Sequence, residues 1–291
     1  MSETPLPTTA APRKDSPSST LSPSSSSRLP FPQHITSRFQ AIINAPGSTD
    51  LISIYACFLT GLTSSPSFTA CYIWCGFQTG NVAQLGLAIA RTFAPIGERT
   101  YGFQKPDQQA LTSLLSFWLG TSLGRLGDKI GARRRTWLVL ATFIQALLAM
   151  AAALAANYCG QSGIANSRGQ PSWTNASGMA ALAFISATMG IQGIVGKRIG
   201  SPMNTTVVLT TTWVEIFNDP LLFAFRYTPS RDIRIAGGFA VFFGAFVSRA
   251  IVDAGGQAAA LGALAGFRIV QAVWWYFIPD KPAPTTGPGK I

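Results

Sequence analysis

Six stretches of the chain, at residues 51–75, 111–127, 136–156, 178–195, 235–252 and 257–278, are long, apolar and nearly free of charge. Each is close to the roughly 20 residues that a helix needs to cross about 30 Å of hydrocarbon. Nothing constrains the fold more, because a chain with six such stretches has to bury them in lipid or in one another. Composition agrees: 47% of residues are hydrophobic, only 11% are charged, and mean hydropathy is +0.28. That is too little charge to cover a soluble globule. The expected fold is an all-α polytopic membrane helix bundle, with the lipid bilayer as its first partner.

The net charge of +11 would suit nucleic acid, but the basic residues lie in the tails and in short connections between apolar stretches. A positive-inside bias accounts for that placement, so no nucleic-acid partner is expected. Cys57, Cys71, Cys75 and Cys159 have no zinc-like spacing and read as buried thiols. Residues 1–45 contain the run PSSTLSPSSSSRLPFP, which cannot bury enough apolar surface to order itself, and read as a disordered cytoplasmic tail. Its prolines argue against a transit peptide. Residues 46–279 form the multi-pass domain, in halves of about 50–157 and 178–279, and 280–291 a short C-terminal tail.

Two further apolar segments are shorter. GFQTGNVAQLGLAIAR, at 76–91, and MNTTVVLTTTWVEIF, at 203–217, open on small and polar residues and continue as helical runs. If both crossed, there would be eight spans, and the basic stretch 125–135 could be cytoplasmic only with the basic N-terminal tail outside. If both dip in and return, six full spans remain, with both termini, 125–135 and 197–234 cytoplasmic and 92–110 and 157–177 outside. All the charge signals then agree. Each half would hold three crossings and one re-entrant element, which predicts an inverted repeat of the kind used by transport proteins. Within the first stretch, Pro66 predicts either a break or a simple kink. Gly120 and Gly124 predict a close helix crossing. The sequon at Asn175 fits the outer side, and Trp274, Trp275 and Tyr276 suit an interfacial aromatic belt.

Gln78, Thr79, Gly80 and Asn81 fall at the mouth of the first half-helix, where glycine permits close backbone approach and Asn or Thr can cap free amides. Asn204, Thr205, Thr206, Thr210, Thr211 and Thr212 make the second such group. Both groups read either as a solute path or as ordinary helix caps. Arg268 lies mid-span, where an unpaired cation costs several kcal/mol. Glu215, the only acid in the second half-helix, is its expected partner, as a structural ion pair or part of a substrate-anion site. Gln145 and Gln192 read as amides that join helices, and Arg249 and Asp253 as a pair near a membrane face. No catalytic constellation, metal motif or cofactor-binding loop is present, so no enzymatic activity, metal or cofactor is expected.

At these residues the chain resembles the YoaK-like transmembrane proteins, domain of unknown function 1275, a family of bacteria and fungi, and is similar to a fungal-type member. The likeness spans about residues 50–279. It rests on QTGN and its apolar run (Gln78 to Ala90), on the LGxxLGRLGD-like stretch from Leu119 to Asp128, and on Val207 to Pro220. Relatives commonly carry an acid in a pattern like TGLVDS. This chain reads TGLTSS from Thr60 to Ser65, with Ser64 in the acid's place. The resemblance implies a multi-pass membrane protein and supplies no substrate.

Taken together, the residues predict a small-solute transporter or channel, its partner a small molecule or ion, with room for a homo-oligomer. The competing expectation is a non-transporting scaffold or assembly protein whose intramembrane polar groups only hold helices together.

Overall fold

A computed structural model of the chain describes residues 31–166, 169–203 and 205–282. Among these residues its regular elements are helices and no strand is present: α1 (Phe31–Gln40), α2 (Asp50–Cys71), α3 (Gln78–Ala90), α4 (Lys105–Ser122), α5 (Gly124–Ile130), α6 (Arg135–Asn157), α7 (Ala176–Ile199), α8 (Thr210–Phe217) and α9 (Pro229–Phe277). Four of them, α2, α6, α7 and α9, are long and apolar enough to cross a membrane. The two stretches at 235–252 and 257–278 are the arms of α9, which breaks at Gly256, where φ is 79°. The stretch at 111–127 divides into α4, whose first turns are polar, and the short α5.

Of the two outcomes expected at Pro66, a break or a kink, the structure has no break: α2 runs unbroken through it. Proline lacks the N–H that would bond the carbonyl four residues back, which is that of Leu62. Ser248 of α9 supplies the missing donor, its Oγ lying 3.0 Å from the Leu62 oxygen. A lost intrahelical bond thereby becomes a bond between helices.

Two helix pairs cross at backbone contact, each through reciprocal glycines. A Cβ on Gly61 would lie 2.0 Å from the Val241 carbonyl oxygen, and one on Gly244 2.0 Å from that of Phe58. The crossing of α4 and α7 repeats this: Gly120 faces the Ala187 carbonyl and Gly190 that of Phe117, each at 2.2 Å. Without side chains the backbones approach closely, and dispersion does the work that the hydrophobic effect cannot do in lipid. The close approach expected at Gly120 is present, and Gly124 packs on the Ile194 side chain. Away from these seams, Phe239, Phe242, Phe243 and Phe246 of α9 point outward as an unbroken apolar face.

The helix ends sort into two layers. At one, Arg133 bonds the carbonyls of Ala45 and Arg198, Arg198 pairs with Asp128, and buried Arg135 holds Asp280 and the carbonyls of Arg38, Trp275 and Ile278. At the other, the end of α2 meets the loop after α6, with Ala165 N–H on Thr69 O and Ser172 N–H on Ala70 O. Gln109 at the start of α4 and Gln257 just after the α9 break bond this same loop. Asn175 caps α7 through Gly178 N–H and donates to Cys159 O. The four cysteines are buried and free.

Two expectations are corrected here. The tail was expected to run to residue 45, but α1 begins at Phe31 and Ile43 is fully buried, bridged through its backbone to Arg133. The backbone bonds and the apolar Ile43 anchor offset the ordering cost; residues 1–30 lie outside the described residues. Trp275 belongs to no interfacial belt, being 2% exposed with its Nε1 bonded to Thr142 Oγ1.

Candidate functional site

Two chain segments turn back into the bundle from opposite layers. α2 ends on left-handed Tyr72 (φ 59°), residues 72–77 are unwound, and α3 then leads out to Arg91, which pairs with buried Asp107 near the start of α4. α7 ends on left-handed Gly200 (φ 77°), the described residues between it and Thr210 (201–203 and 205–209) are unwound, and α8 leads out to Glu215. The second half-helix is thus eight residues long, shorter than the 203–217 expected, because backbone bonding there yields to side-chain bonding.

Both segments reach well inside. Gln78 Nε2 is 3.3 Å from Ser113 Oγ, which lies about 12 Å along α4 from its start. Thr206 Oγ1 is 3.0 Å from Gln192 Nε2, about 10 Å back from the end of α7. They meet at Gly76, where a Cβ would lie 2.9 Å from Val207 Cγ1 and 3.0 Å from Met189 Cε. Here, not at Gly80, glycine is required for close approach: Gly80 faces open space.

A polar cluster flanks this junction on either side. In the first, Asn81 Nδ2 donates to Gln78 Oε1 at 2.8 Å and to Ser113 Oγ at 3.2 Å, and Ser186 Oγ donates to Ser113 Oγ at 2.9 Å. In the second, Gln192 Nε2 reaches Ala56 O and Thr60 Oγ1 (2.7 Å), while Thr60 Oγ1 donates to Thr206 O at 2.7 Å. Arg268, fully buried, completes it by donating through Nη2 to Gln192 Oε1 at 2.5 Å and through Nη1 to Gln271 Oε1 at 3.0 Å. Beside it is a cavity of about 20 Å³, lined among others by Ser53, Thr142, Gln145, Thr206, Gln271 and Arg268. By this measure ~10–15 Å³ holds one water.

Among the residues expected on a solute path, Gln78, Asn81, Thr206 and Arg268 face inward. Thr205 is half-buried and bonds the N–H of Val208, holding the unwound turn. Thr79, Gly80, Thr210, Thr211 and Glu215 are exposed, Thr212 is buried, and Asn204 lies outside the described residues. The pairing of Arg268 with Glu215 is overturned. Glu215 pairs with Arg234 of α9 at 2.8 Å, because α8 carries it outward while Arg268 stays in the bundle. Gln192 joins helices as expected, but Gln145 bonds only within α6, at Ala141 O, and its Oε1 has no partner. Arg249 and Asp253 pair at 2.9 Å.

Sequence reasoning missed Thr60, Ser113, Ser186 and Gln271. Only Gln271 left a signal, standing three residues after Arg268 on the same helical face; the others are hydroxyls whose role depends on which helix they meet. Ser64 is buried, 3.8 Å from the Cys75 sulfur. Among the described residues no group of three His, Cys, Asp or Glu is placed to hold a metal.

No curated protein and no solved structure matches the chain. A family model does, over residues 52–274, described as protein of unknown function (DUF1275). That span holds α3, α8, both polar clusters and Arg268, and with its apolar helices the chain is a membrane-protein member of the DUF1275 family.

Proposed function

We propose that the protein is a six-span transporter or channel for a small solute, with both termini in the cytoplasm. α2, α4, α6, α7 and the two arms of α9 make the crossings, and α3 and α8 are re-entrant. One observation carries this: two unwound segments, each following a left-handed helix end, enter from opposite layers and meet at Gly76 and Val207 beside a buried cation. Unwound backbone inside a membrane is tolerated where it lines a site, and paired broken elements in inverted halves are how many transporters build one. The helix partnerships support the inversion. α2 crosses the first arm of α9 and α4 crosses α7, each through reciprocal glycines, and exchanging the halves maps one crossing onto the other.

Flux tests this reading. Vesicles carrying the full chain, loaded with small salts and neutral solutes in turn, should equilibrate at least one faster than empty vesicles, and Arg268→Met should abolish the difference while the protein stays folded. Equal rates for every solute would favour the scaffold. That second reading has its own support, because the central cavity is only about 20 Å³ and the hydroxyls around it mostly bond the carbonyls of their own helices.

A further inference from the structure

On the basic layer, between the start of α2 and the two ends of α9, lies a groove of about 470 Å³, within the usual range of small-molecule sites. Its two ends differ in character. Ser48, Asp50 and Tyr227 mark a polar end, and Ile54, Ala236 and Trp274 an apolar one. Ile54 stands about 6 Å into α2 from Asp50, and Ala236 about 10 Å into α9 from Pro229. The groove therefore runs inward from the helix ends, polar first and apolar below. Its flank is open, because Leu51 on its wall is 70% exposed. Trp274, braced by Tyr55 at 5.6 Å between ring centroids, gives the apolar part a rigid wall.

Charge decides which head fits the polar end. Asp232, also on the groove, is taken up by Arg231 and by the Thr228 N–H. Asp50 differs: among the described residues no cation pairs with it, and its carboxylate is half-buried without being sealed off. An ionised carboxylate only accepts hydrogen bonds, and an ammonium is their densest source, with three donors and the opposite charge. Apolar walls below such a group suit a hydrocarbon chain, and the open flank lets one enter sideways. We propose that the groove binds one phospholipid whose headgroup ends in a primary ammonium. The ammonium sits on Asp50, and the start of an acyl chain lies along Ile54, Ala236 and Trp274. The basic layer, with exposed Arg226 next to Tyr227, suits the phosphate of the same headgroup. This site needs no solute flux and stands apart from the transport reading.

The test titrates the purified full chain, in maltoside detergent, with phosphatidylethanolamine or phosphatidylcholine of identical acyl chains. The two headgroups have the same net charge and differ in the methyl groups on nitrogen, so a difference between them reads the N–H donors. Phosphatidylethanolamine should raise the midpoint of thermal unfolding saturably, by roughly 5 °C more than phosphatidylcholine at a hundredfold excess over its dissociation constant. Asp50→Asn keeps the shape and removes the charge, and should shrink that difference to below about 1 °C. If that variant does not fold, Ala236→Phe, whose ring fills the apolar end, takes its place with the same expected loss. Equal midpoints for the two lipids in the wild type overturn the site, and mean that Asp50 is met by another part of the chain or by water. A difference that survives in either folded variant overturns it too, because the selectivity then arises elsewhere. Soluble ethanolamine separates the sources of the amine. It should leave the midpoint unchanged at millimolar concentration, and saturable stabilisation by it alone would make the ligand a free amine and overturn the lipid site.

Discussion

A single hydroxyl shows how this bundle handles a broken rule. Pro66 removes one bond from α2, and Ser248 restores a donor to the Leu62 carbonyl from a different helix. Ser248→Ala should leave that oxygen unpaired and cost about 1 kcal/mol in detergent unfolding, the scale of polar contacts in membrane bundles. In a Pro66→Ala background the helix bonds itself and the same change should cost close to nothing. The gap between the two measures the compensation. Arg268 obeys the same logic with more at stake: Arg268→Met removes the charge and the need for a counter-charge together. It should fold, with stability changed by at most about 1–2 kcal/mol, since apolar replacement of a buried charge is often neutral. Proteoliposomes bearing it should show no solute flux.

Among the elements, the glycine seams are where stability is concentrated. Gly61→Ala and Gly190→Ala each drive a methyl to within 2.2 Å of a facing carbonyl, and both should destabilise by more than about 3 kcal/mol, because two backbones would have to part. Gly80→Ala and Gly262→Ala face open space inside helices and should be neutral or stabilising by up to about 1 kcal/mol. Thermal melts of the four variants check this ordering, which residue type alone would not give. The sequence showed the apolar helices, four of them long and apolar enough to cross a membrane, since apolar length is a local property. It showed the half-helices through their polar openings at Gln78 and Thr205, though not where α8 begins. Partnership was illegible: Glu215 looked like the counter-ion of Arg268 because both are charges in apolar surroundings. Only the outward course of α8 toward Arg234 reveals otherwise.

For the molecule as a whole, the charge pattern and the helix ends describe one arrangement. The layer holding Arg133, Arg135 and Arg198 is the strongly basic one, and the opposite layer, around Asn175 and Gly256, has few cations. Residues 38–45 are part of the basic layer, where Arg38 and Arg135 share Asp280 and lie against the Tyr276 ring. Asp280→Ala should loosen this layer, seen as faster protease cleavage near residue 40, while leaving the α4 and α7 crossing intact.

The most direct measurement is side-specific labelling of single cysteines at Arg99→Cys, Lys129→Cys, Gln170→Cys and Arg226→Cys in a background lacking Cys57, Cys71, Cys75 and Cys159. All four chosen positions are exposed. An impermeant thiol reagent should label Arg99→Cys and Gln170→Cys on intact cells, and Lys129→Cys and Arg226→Cys only after permeabilisation. Labelling of Arg99→Cys and Lys129→Cys from the same side would mean that α4 does not cross, and six spans with paired re-entrant segments would be contradicted.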